Sequence, residues 1–170
     1  MSDTTEHPSV CRFRPARPEE LRVVYDMQNV PYREQIFAAD LPPFEEFESS
    51  LAEAIAGGTQ KLYLLERDNI IAGYSQFFIA EKGCEIVVWG RWLKTLMFAS
   101  LKVAFDVLGA EGIQSYVRRD NKRVMGAYTH FNGRAVRREL VAIRKGGILG
   151  RIAMVGHVIY QMTCEEFREK

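Results

Sequence analysis

The sequence predicts a single domain of the α/β class, because strand-like and helix-like segments alternate along a chain of 170 residues. This length allows one domain with a substantial core and leaves little room for a second. The predicted order is one strand, two helices, three strands, a helix, a strand, a helix and two final strands. No internal repeat, linker or low-complexity segment interrupts this order. We therefore expect one domain over residues 1–170, with residues 1–10 as a flexible tail.

The first third of the chain is predicted to contain one strand and two helices. Residues 11–16 (CRFRPA) form a short strand that prolines end, and Pro18 suits the first position of the helix over 17–30. The second helix covers 42–58, and a glycine pair ends it. Its apolar residues fall on one helical face: Phe44, Phe47, Leu51 and Ile55.

The middle of the chain is predicted to contain three strands and a long helix. The strands cover 60–66, 70–80 and 83–89. Arg67, Asp68 and Asn69 have the composition of a turn, which predicts an antiparallel hairpin between the first two strands. Apolar residues at helical spacing predict a helix over about 93–108, with Gly109 as its stop.

The last third is predicted to contain a strand over 113–117, a helix that begins at Asn121, and two strands. These last strands cover 137–145 and about 149–162, joined by a turn at Gly146 and Gly147. Thr163 and Glu166 have the spacing of a capping box, so we expect a short helical turn at the end of the chain.

Charge is distributed unevenly along the chain, with an acidic segment at 19–53 and a basic one at 118–151. The basic segment suits a ligand with several phosphates or a simple charged surface about equally, and nucleic acid is the least favoured partner. The acidic segment suits a cationic molecule such as an amine. The three cysteines and three histidines have no metal-ligand spacing, so we expect no metal. The polar start and the short apolar runs predict a cytoplasmic protein without a membrane segment.

The stretch DNKRVMGAYTHFNG resembles the acetyl-CoA-binding half of the GNAT N-acetyltransferase superfamily. The family has an Asn, then a Tyr seven positions later, then a Gly that stops the helix after four more. Asn121 and Tyr128 match this pattern, and Asn132 stands at the position of the glycine. Asparagine is the next-best residue for a left-handed helix stop, so this change is mild.

The order of predicted elements is also similar to that of the GNAT fold, so the resemblance covers nearly the whole chain. It implies a mixed, mostly antiparallel sheet of six to seven strands flanked by about four helices. The branch that acetylates the N-termini of ribosomal proteins is the most similar. Its fourth strand carries a Glu and a Trp four residues apart, as Glu85 and Trp89 are here, and HVIYQMTCEEF resembles its last strand.

The segment WGRWLKTLMFASL departs from the family where glycines normally bring backbone N–H groups to the CoA pyrophosphate. Gly90 is its only glycine, Trp92 stands among the expected small residues, and the loop is about three residues short. One interpretation is that Arg91, Lys94 and Thr95 replace the missing backbone donors. The alternative is that these side chains are solvent-facing and the phosphate site is lost.

The resemblance implies direct transfer of an acetyl group from acetyl-CoA to a primary amine. Backbone N–H groups near Val87, Val88 and Trp89, where the family's fourth strand bulges, would stabilise the developing oxyanion. Asn121 would orient the pantetheine. Tyr128 would protonate the departing thiolate, and the alternative for this residue is ordinary core packing.

Glu85 is the candidate base, because apolar neighbours on its strand face would raise the pKa of its carboxyl group. The alternative is a partly exposed carboxylate at the margin of the sheet. Two functions of different classes therefore stay open. One is an N-acetyltransferase acting on a protein N-terminus, a lysine or a small amine, and the other is an inactive GNAT-fold binding or assembly module. The long apolar last strand also suggests a homodimer.

Overall fold

A computed structural model of the chain describes residues 11–30, 41–145 and 151–169. The predicted tail and the predicted turn between the last two strands lie outside these residues. The described strands are β1 (Cys11–Pro15), β2 (Gln60–Arg67), β3 (Ile70–Ile79), β4 (Gly83–Gly90), β5 (Gly112–Arg118), β6 (Arg134–Lys145) and β7 (Arg151–Thr163). The described α-helices are α1 (Leu21–Gln28), α2 (Phe44–Ala56), α3 (Leu93–Lys102), α4 (Lys122–His130) and α5 (Cys164–Arg168). The predicted class, element order and number of strands are confirmed.

The seven strands form one sheet in the order β1-β2-β3-β4-β5-β7-β6. Neighbouring strands run antiparallel except for β4 and β5, which run parallel. These two strands pair only over Gly83–Glu85 and Gly112–Gln114, near their N-terminal ends. Beyond these residues the two strands no longer pair, and a wedge opens between them.

Each face of the sheet has its own apolar core. The larger core packs α3 and α4 against one face and includes Ile86, Met97 and Tyr128. The smaller core packs α1 and α2 against the opposite face around Val24, and Trp89 packs at its edge. Side chains alternate between the two faces along a strand, so β4 contributes to both cores.

The predicted turns and helix ends are confirmed where the structure describes them. Asp68 and Asn69 have φ values of 52° and 63°, which is the left-handed pair that a tight β2–β3 hairpin turn requires. Asn132 has φ 64° and ends α4 in place of the family's glycine. Thr163 and Glu166 form the predicted capping box at the start of α5.

The helix predicted over 93–108 is not a uniform α-helix. It is α-helical to Lys102, and one π-helical turn, Val103–Val107, follows. Within this turn the N–H of Leu108 donates to the carbonyl oxygen of Val103, five residues back, at 2.9 Å. Periodicity over a few residues does not separate the two kinds of helix, so the sequence carried no signal for the change.

An ion-pair cluster centred on Glu20 joins β1, the turn before α1, and β2. Arg14 donates to both carboxylate oxygens of Glu20 at 2.7 and 2.8 Å and also to Glu66 at 3.0 Å. Arg17 donates to Glu20 through its backbone N–H and its guanidinium, both at 2.8 Å. These bonds hold the pKa of the Glu20 carboxyl well below its ordinary value, the Arg14 bond being the largest cause.

We expect Glu20→Ala to lower the free energy of unfolding by about 2 kcal/mol, because it removes the bonds that Glu20 accepts from Arg14 and Arg17 and leaves Arg14 with Glu66 alone. A depressed carboxyl pKa gives stability that is present above the unfolded-state value and lost as the pH falls. The difference between the variant and the unmodified protein should therefore shrink below about pH 4. Urea unfolding at several pH values measures this. Glu19→Ala is the control, because the Glu19 side chain is 67% exposed and makes a longer ion pair with Arg17, at 3.5 Å. An equal loss of unfolding free energy in both variants would contradict the account.

Candidate active site in the wedge between β4 and β5

The wedge opens just beyond the last residues that join β4 to β5. Ser115 of β5 donates a hydrogen bond from its hydroxyl to the carbonyl oxygen of Ile86 at 2.8 Å, which is a final tie between the strands. Beyond it lies a cleft of about 1080 Å³. Its walls come from the ends of α1, β4 and β5, the β2–β3 turn, and the first turns of α3 and α4.

The backbone of Val88 faces this wedge. The N–H and the carbonyl of one strand residue point to the same side, and every second residue repeats the direction. Because the carbonyl of Ile86 points towards β5, the N–H of Val88 also points to that side. β5 no longer pairs with β4 at this level, and Val88 lines the cleft. Of the three backbone N–H groups predicted to stabilise the oxyanion, the one that faces the cleft is therefore that of Val88.

One implication of the family resemblance is wrong: no bulge interrupts the pairing of β4 with β3. The register is continuous from the Ile79–Cys84 pair to the Gly73–Gly90 pair. The N–H of Val88 is unpaired among the described residues because β5 no longer pairs with β4 at this level, so no bulge is needed to expose it. Val87 and Trp89 alternate with Val88, so their N–H groups point towards β3.

The connection from β4 to α3 consists of Arg91 and Trp92 alone. A Cβ atom on Gly90 would lie 2.4 Å from the Cα of Gly73, so only glycine lets the strands approach this closely. The N–H of Arg91 donates to the carbonyl oxygen of Ala72 at 2.8 Å, which extends the pairing with β3. Trp92 has φ 48° and gives α3 no side-chain cap. This short connection agrees with the predicted shortening of the loop.

The predicted phosphate-binding residues separate in the structure. Arg91 is exposed and lines the cleft, as does Trp89. Lys94 and Thr95 are exposed on α3 but lie outside the cleft. The structure therefore brings one of the three proposed side chains, that of Arg91, to the cleft.

Asn121 is the cap of α4 and also lines the cleft. Its side-chain oxygen accepts a hydrogen bond from the backbone N–H of Val124 at 3.2 Å. This bond fixes the start of α4 at the C-terminal end of β5 and explains why an asparagine suits the position. Asn121 is thus placed both to fix the helix that carries Tyr128 and to contact a ligand in the cleft.

Tyr128 is fully buried near Ser115, at the base of the wedge, and does not itself line the cleft. Its ring stacks on Tyr160 with centroids 5.1 Å apart. Its hydroxyl has no hydrogen-bond partner of good geometry among the described residues. Burial raises the pKa of this phenol far above its ordinary value, and a nearby hydroxyl, that of Ser115, offsets the shift only in part. The ring of Tyr128 packs in the larger core, and its hydroxyl is left without a partner of good geometry among the described residues.

Glu85 is the last residue of β4 that pairs with β5, and its partner there is Gln114. It is half-buried, and burial raises the pKa of its carboxyl group. The direction of this shift is the one predicted from its strand neighbours. Glu85 does not line the cleft, and its charge acts on Tyr128 across the base of the wedge.

Sequence reasoning missed two features of this region. Ser115 ties the strands at the base of the wedge, and Arg67 places its guanidinium 4.5 Å from the centroid of the Trp92 ring. No local motif marks either residue. Among the described residues, no group of three metal-ligating side chains lies close enough to hold a metal ion. The described helices include none that is both long and apolar enough to cross a membrane.

Comparisons with known proteins agree with this fold. Acetyltransferase PseH of Campylobacter jejuni is 27% identical over 127 residues, which cover 70% of this chain and 81% of that protein. The spermidine N-acetyltransferase of Vibrio cholerae, solved in complex with CoA and spermine, superposes with a TM-score of 0.79 at 14% identity. That match covers 93% of this chain and 98% of the other. A dodecameric structure of the same enzyme gives a TM-score of 0.72 at 15% identity, over 94% and 98% of the two chains.

No protein-family model matches the chain. The resemblance to the ribosomal-protein branch stays a prediction, because none of these relatives tests it. The fold shared with the solved acetyltransferases and the sequence match to an acetyltransferase agree with each other. The chain has the fold of these solved N-acetyltransferases and is similar in sequence to acetyltransferase PseH.

Proposed function

We propose that this protein is an N-acetyltransferase that uses acetyl-CoA to acetylate a primary amine. The observation that carries the proposal is the buried Tyr128 hydroxyl, which lacks a hydrogen-bond partner of good geometry among the described residues and lies near Ser115, the residue that ties β5 to β4. A buried polar atom without a partner is costly, so its presence suggests that a ligand supplies the partner.

The residues present fit an acetyl thioester held in the wedge. Unpaired strand backbone can bind an extended pantetheine chain by hydrogen bonds, in the way that a peptide adds to a sheet. The N–H of Val88 faces the wedge and can donate to the thioester carbonyl. Acetyl-CoA would supply an activated acetyl group, and the protein would supply the donors and the proton transfers around it.

Each group of the site then has one role in the reaction. The N–H of Val88 stabilises the negative charge that develops on the carbonyl oxygen. The Tyr128 phenol is protonated at neutral pH and donates its proton to the departing thiolate. Glu85 accepts a proton from the amine, directly or through water. Asn121 and Arg91 bind the parts of the cofactor that lie in the open cleft.

The acceptor is an amine whose class the fold leaves open. CoA and spermine are bound by the Vibrio enzyme, and we extend only the general chemistry to this chain: an acyl donor and an amine. The candidates are a protein N-terminus, a lysine and a small amine. We expect cationic acceptors to be attracted by the acidic segment at 19–53.

The alternative of an inactive binding module rested on the altered loop before α3. No other observation favours it, and the relatives found by sequence and by fold are acetyltransferases. A homodimer and a cytoplasmic location stay predictions for this chain. The dodecamer is a property of the Vibrio enzyme.

The proposed function is tested by offering acetyl-CoA with three acceptors: spermidine, a peptide whose only amine is a lysine, and a peptide whose only amine is its N-terminus. Release of free CoA thiol together with one acetylated product, identified by mass spectrometry, is the expected result. Release of thiol without an acetylated amine would indicate thioester hydrolysis and would contradict the proposal.

With the acceptor found in this way, we expect kcat/KM to fall as the pH is lowered. The group responsible for this fall should have a pKa above the ordinary glutamate value. A base must be deprotonated to act, and burial raises the pKa of Glu85, so its acidic limb moves to higher pH. Glu85→Gln should lower kcat/KM by about 100-fold and remove this limb. Glu81→Gln changes an exposed carboxylate in the β3–β4 turn and is the control. A pH profile of Glu85→Gln that keeps the acidic limb would exclude Glu85 as the base.

A further inference from the structure

Trp92 adopts a strained backbone conformation at the mouth of the cleft. Its φ of 48° lies in the left-handed region, which bulky L-residues rarely adopt. The residue is 41% exposed, so core packing does not explain the choice of residue. Strained residues that persist at the edge of a ligand cleft are often functional.

Arg67 is held against the face of this indole. Its guanidinium carbon is 4.5 Å from the centroid of the Trp92 ring, which is a cation–π contact. Arg67 ends β2, 25 residues before Trp92 in the sequence, and both residues line the cleft. Its side chain stays 35% exposed, and its only ion pair among the described residues is a loose one to Asp68 at 3.6 Å.

Arg91 adds a second cation to the same end of the sheet. Its backbone N–H donates to the carbonyl oxygen of Ala72 of β3, the strand that lies between β2, which Arg67 ends, and β4, which Arg91 follows. Its side chain lines the cleft and forms no ion pair with a described residue. Two guanidinium groups therefore border the cleft at the β4–α3 connection.

We propose that Trp92 and Arg67, together with Arg91, form a side-chain clamp for the pyrophosphate of acetyl-CoA. This inference rests on the proposed function and adds Arg67 and Trp92 to it. A guanidinium stacked on an aromatic face keeps its N–H edge free, and that edge matches the oxygens of a phosphate. Stacking also restricts the arginine before the ligand arrives, which lowers the entropy cost of binding. The clamp takes the place of the longer glycine-containing loop.

Calorimetric titration of the full chain with CoA and with pantetheine, which has no phosphate, tests the clamp. We expect Arg67→Ala to weaken CoA binding about ten-fold and to leave pantetheine binding unchanged. Arg22→Ala is a matched control, because Arg22 lies 4.7 Å over the ring of Phe44 and pairs with Asp26 outside the cleft. This control should bind both ligands like the unmodified protein.

Trp92→Gly provides an independent test, since it restores a small residue and relieves the strained backbone. If Trp92 holds the clamp, this variant should bind CoA about three-fold or more weakly while its melting temperature is unchanged or higher. If Trp92 only fills space, the variant should bind CoA as well as or better than the unmodified protein. That second result would overturn the inference.

Failure of the clamp and failure of the proposed function give different results. Normal CoA binding by both Arg67→Ala and Arg22→Ala overturns the clamp and leaves the acetyltransferase proposal intact. An equal loss of CoA and pantetheine affinity in Arg67→Ala also overturns it, since the loss would not involve phosphate. No CoA binding by the unmodified protein overturns both.

Discussion

Tyr128→Phe is expected to lower kcat by about 100- to 1000-fold while the affinity for acetyl-CoA stays within a factor of about two. The change removes one oxygen atom and keeps the ring that stacks on Tyr160. The lost proton donor is needed only as the thiolate leaves, so kcat should fall and binding should not. Single-turnover measurements of thiol release, with calorimetry for binding, separate the two quantities.

The stability of the same variant distinguishes a catalytic hydroxyl from a structural one. The Tyr128 hydroxyl has no partner of good geometry among the described residues, so its removal should leave the melting temperature unchanged or raise it. Tyr160→Phe is the matched control and should keep both stability and kcat. A Tyr128→Phe variant with full kcat would reduce Tyr128 to a core residue.

The high pKa of this phenol has a consequence for the alkaline side of the pH profile. Burial raises the pKa of Tyr128, so the proton donor stays protonated well above the ordinary tyrosine value of 10. A decline of kcat that begins near pH 9 would therefore have to come from another group.

Gly90→Ala is expected to lower the free energy of unfolding by about 3 kcal/mol or more. The added Cβ would lie 2.4 Å from the Cα of Gly73 and 2.5 Å from the carbonyl oxygen of Ala72, both of which are backbone atoms of β3. Gly90 also has φ 150°, which side chains disfavour. To relieve the clash, β3 and β4 must separate at the edge of the cleft.

Gly126→Ala is the matched control for this prediction. Gly126 lies in the middle of α4, and a Cβ there would meet no atom within 4 Å. Replacing a helical glycine by alanine should raise the free energy of unfolding by about 0.5–1 kcal/mol. Chemical unfolding of both variants measures the contrast. Equal stabilities would mean that β3 and β4 do not approach as closely as described.

Local chemistry made much of this fold predictable. Asp68 and Asn69 form the predicted hairpin turn because each tolerates a positive φ, and Asn132 ends α4 for the same reason. Thr163 caps α5 because its hydroxyl is placed to meet the N–H of Glu166. Each of these features depends on residues within four positions of one another, where sequence reasoning is strongest.

Features that depend on distant partners were missed or wrong. The expected bulge in β4 is absent because the wedge arises from the departure of β5, which a β4 motif does not encode. The contact between Arg67 and Trp92 forms only when the end of β2 and the start of α3 meet at the same end of the sheet. The π-helical turn after Lys102 has no distinct spacing in the sequence.

The candidate site likewise contains residues that the sequence identified and lacks two of those that it predicted. Spacing and family resemblance identified Asn121 and Tyr128, and the fold shows why each suits its place: one caps α4, and the other lies at the base of the wedge. Lys94 and Thr95 were chosen because they follow the loop in sequence. On the first turn of α3 both are exposed and lie outside the cleft, which periodicity alone did not reveal.

The measurement that tests the central claim most directly is calorimetric titration of the purified protein with acetyl-CoA. The wedge, the free side of Val88 and the Tyr128 hydroxyl predict one-to-one binding with a micromolar dissociation constant, about −8 kcal/mol. The same titration with pantetheine should give much weaker binding. No heat of binding at millimolar acetyl-CoA would contradict the account and would mean that this chain has the acetyltransferase fold without its acyl donor.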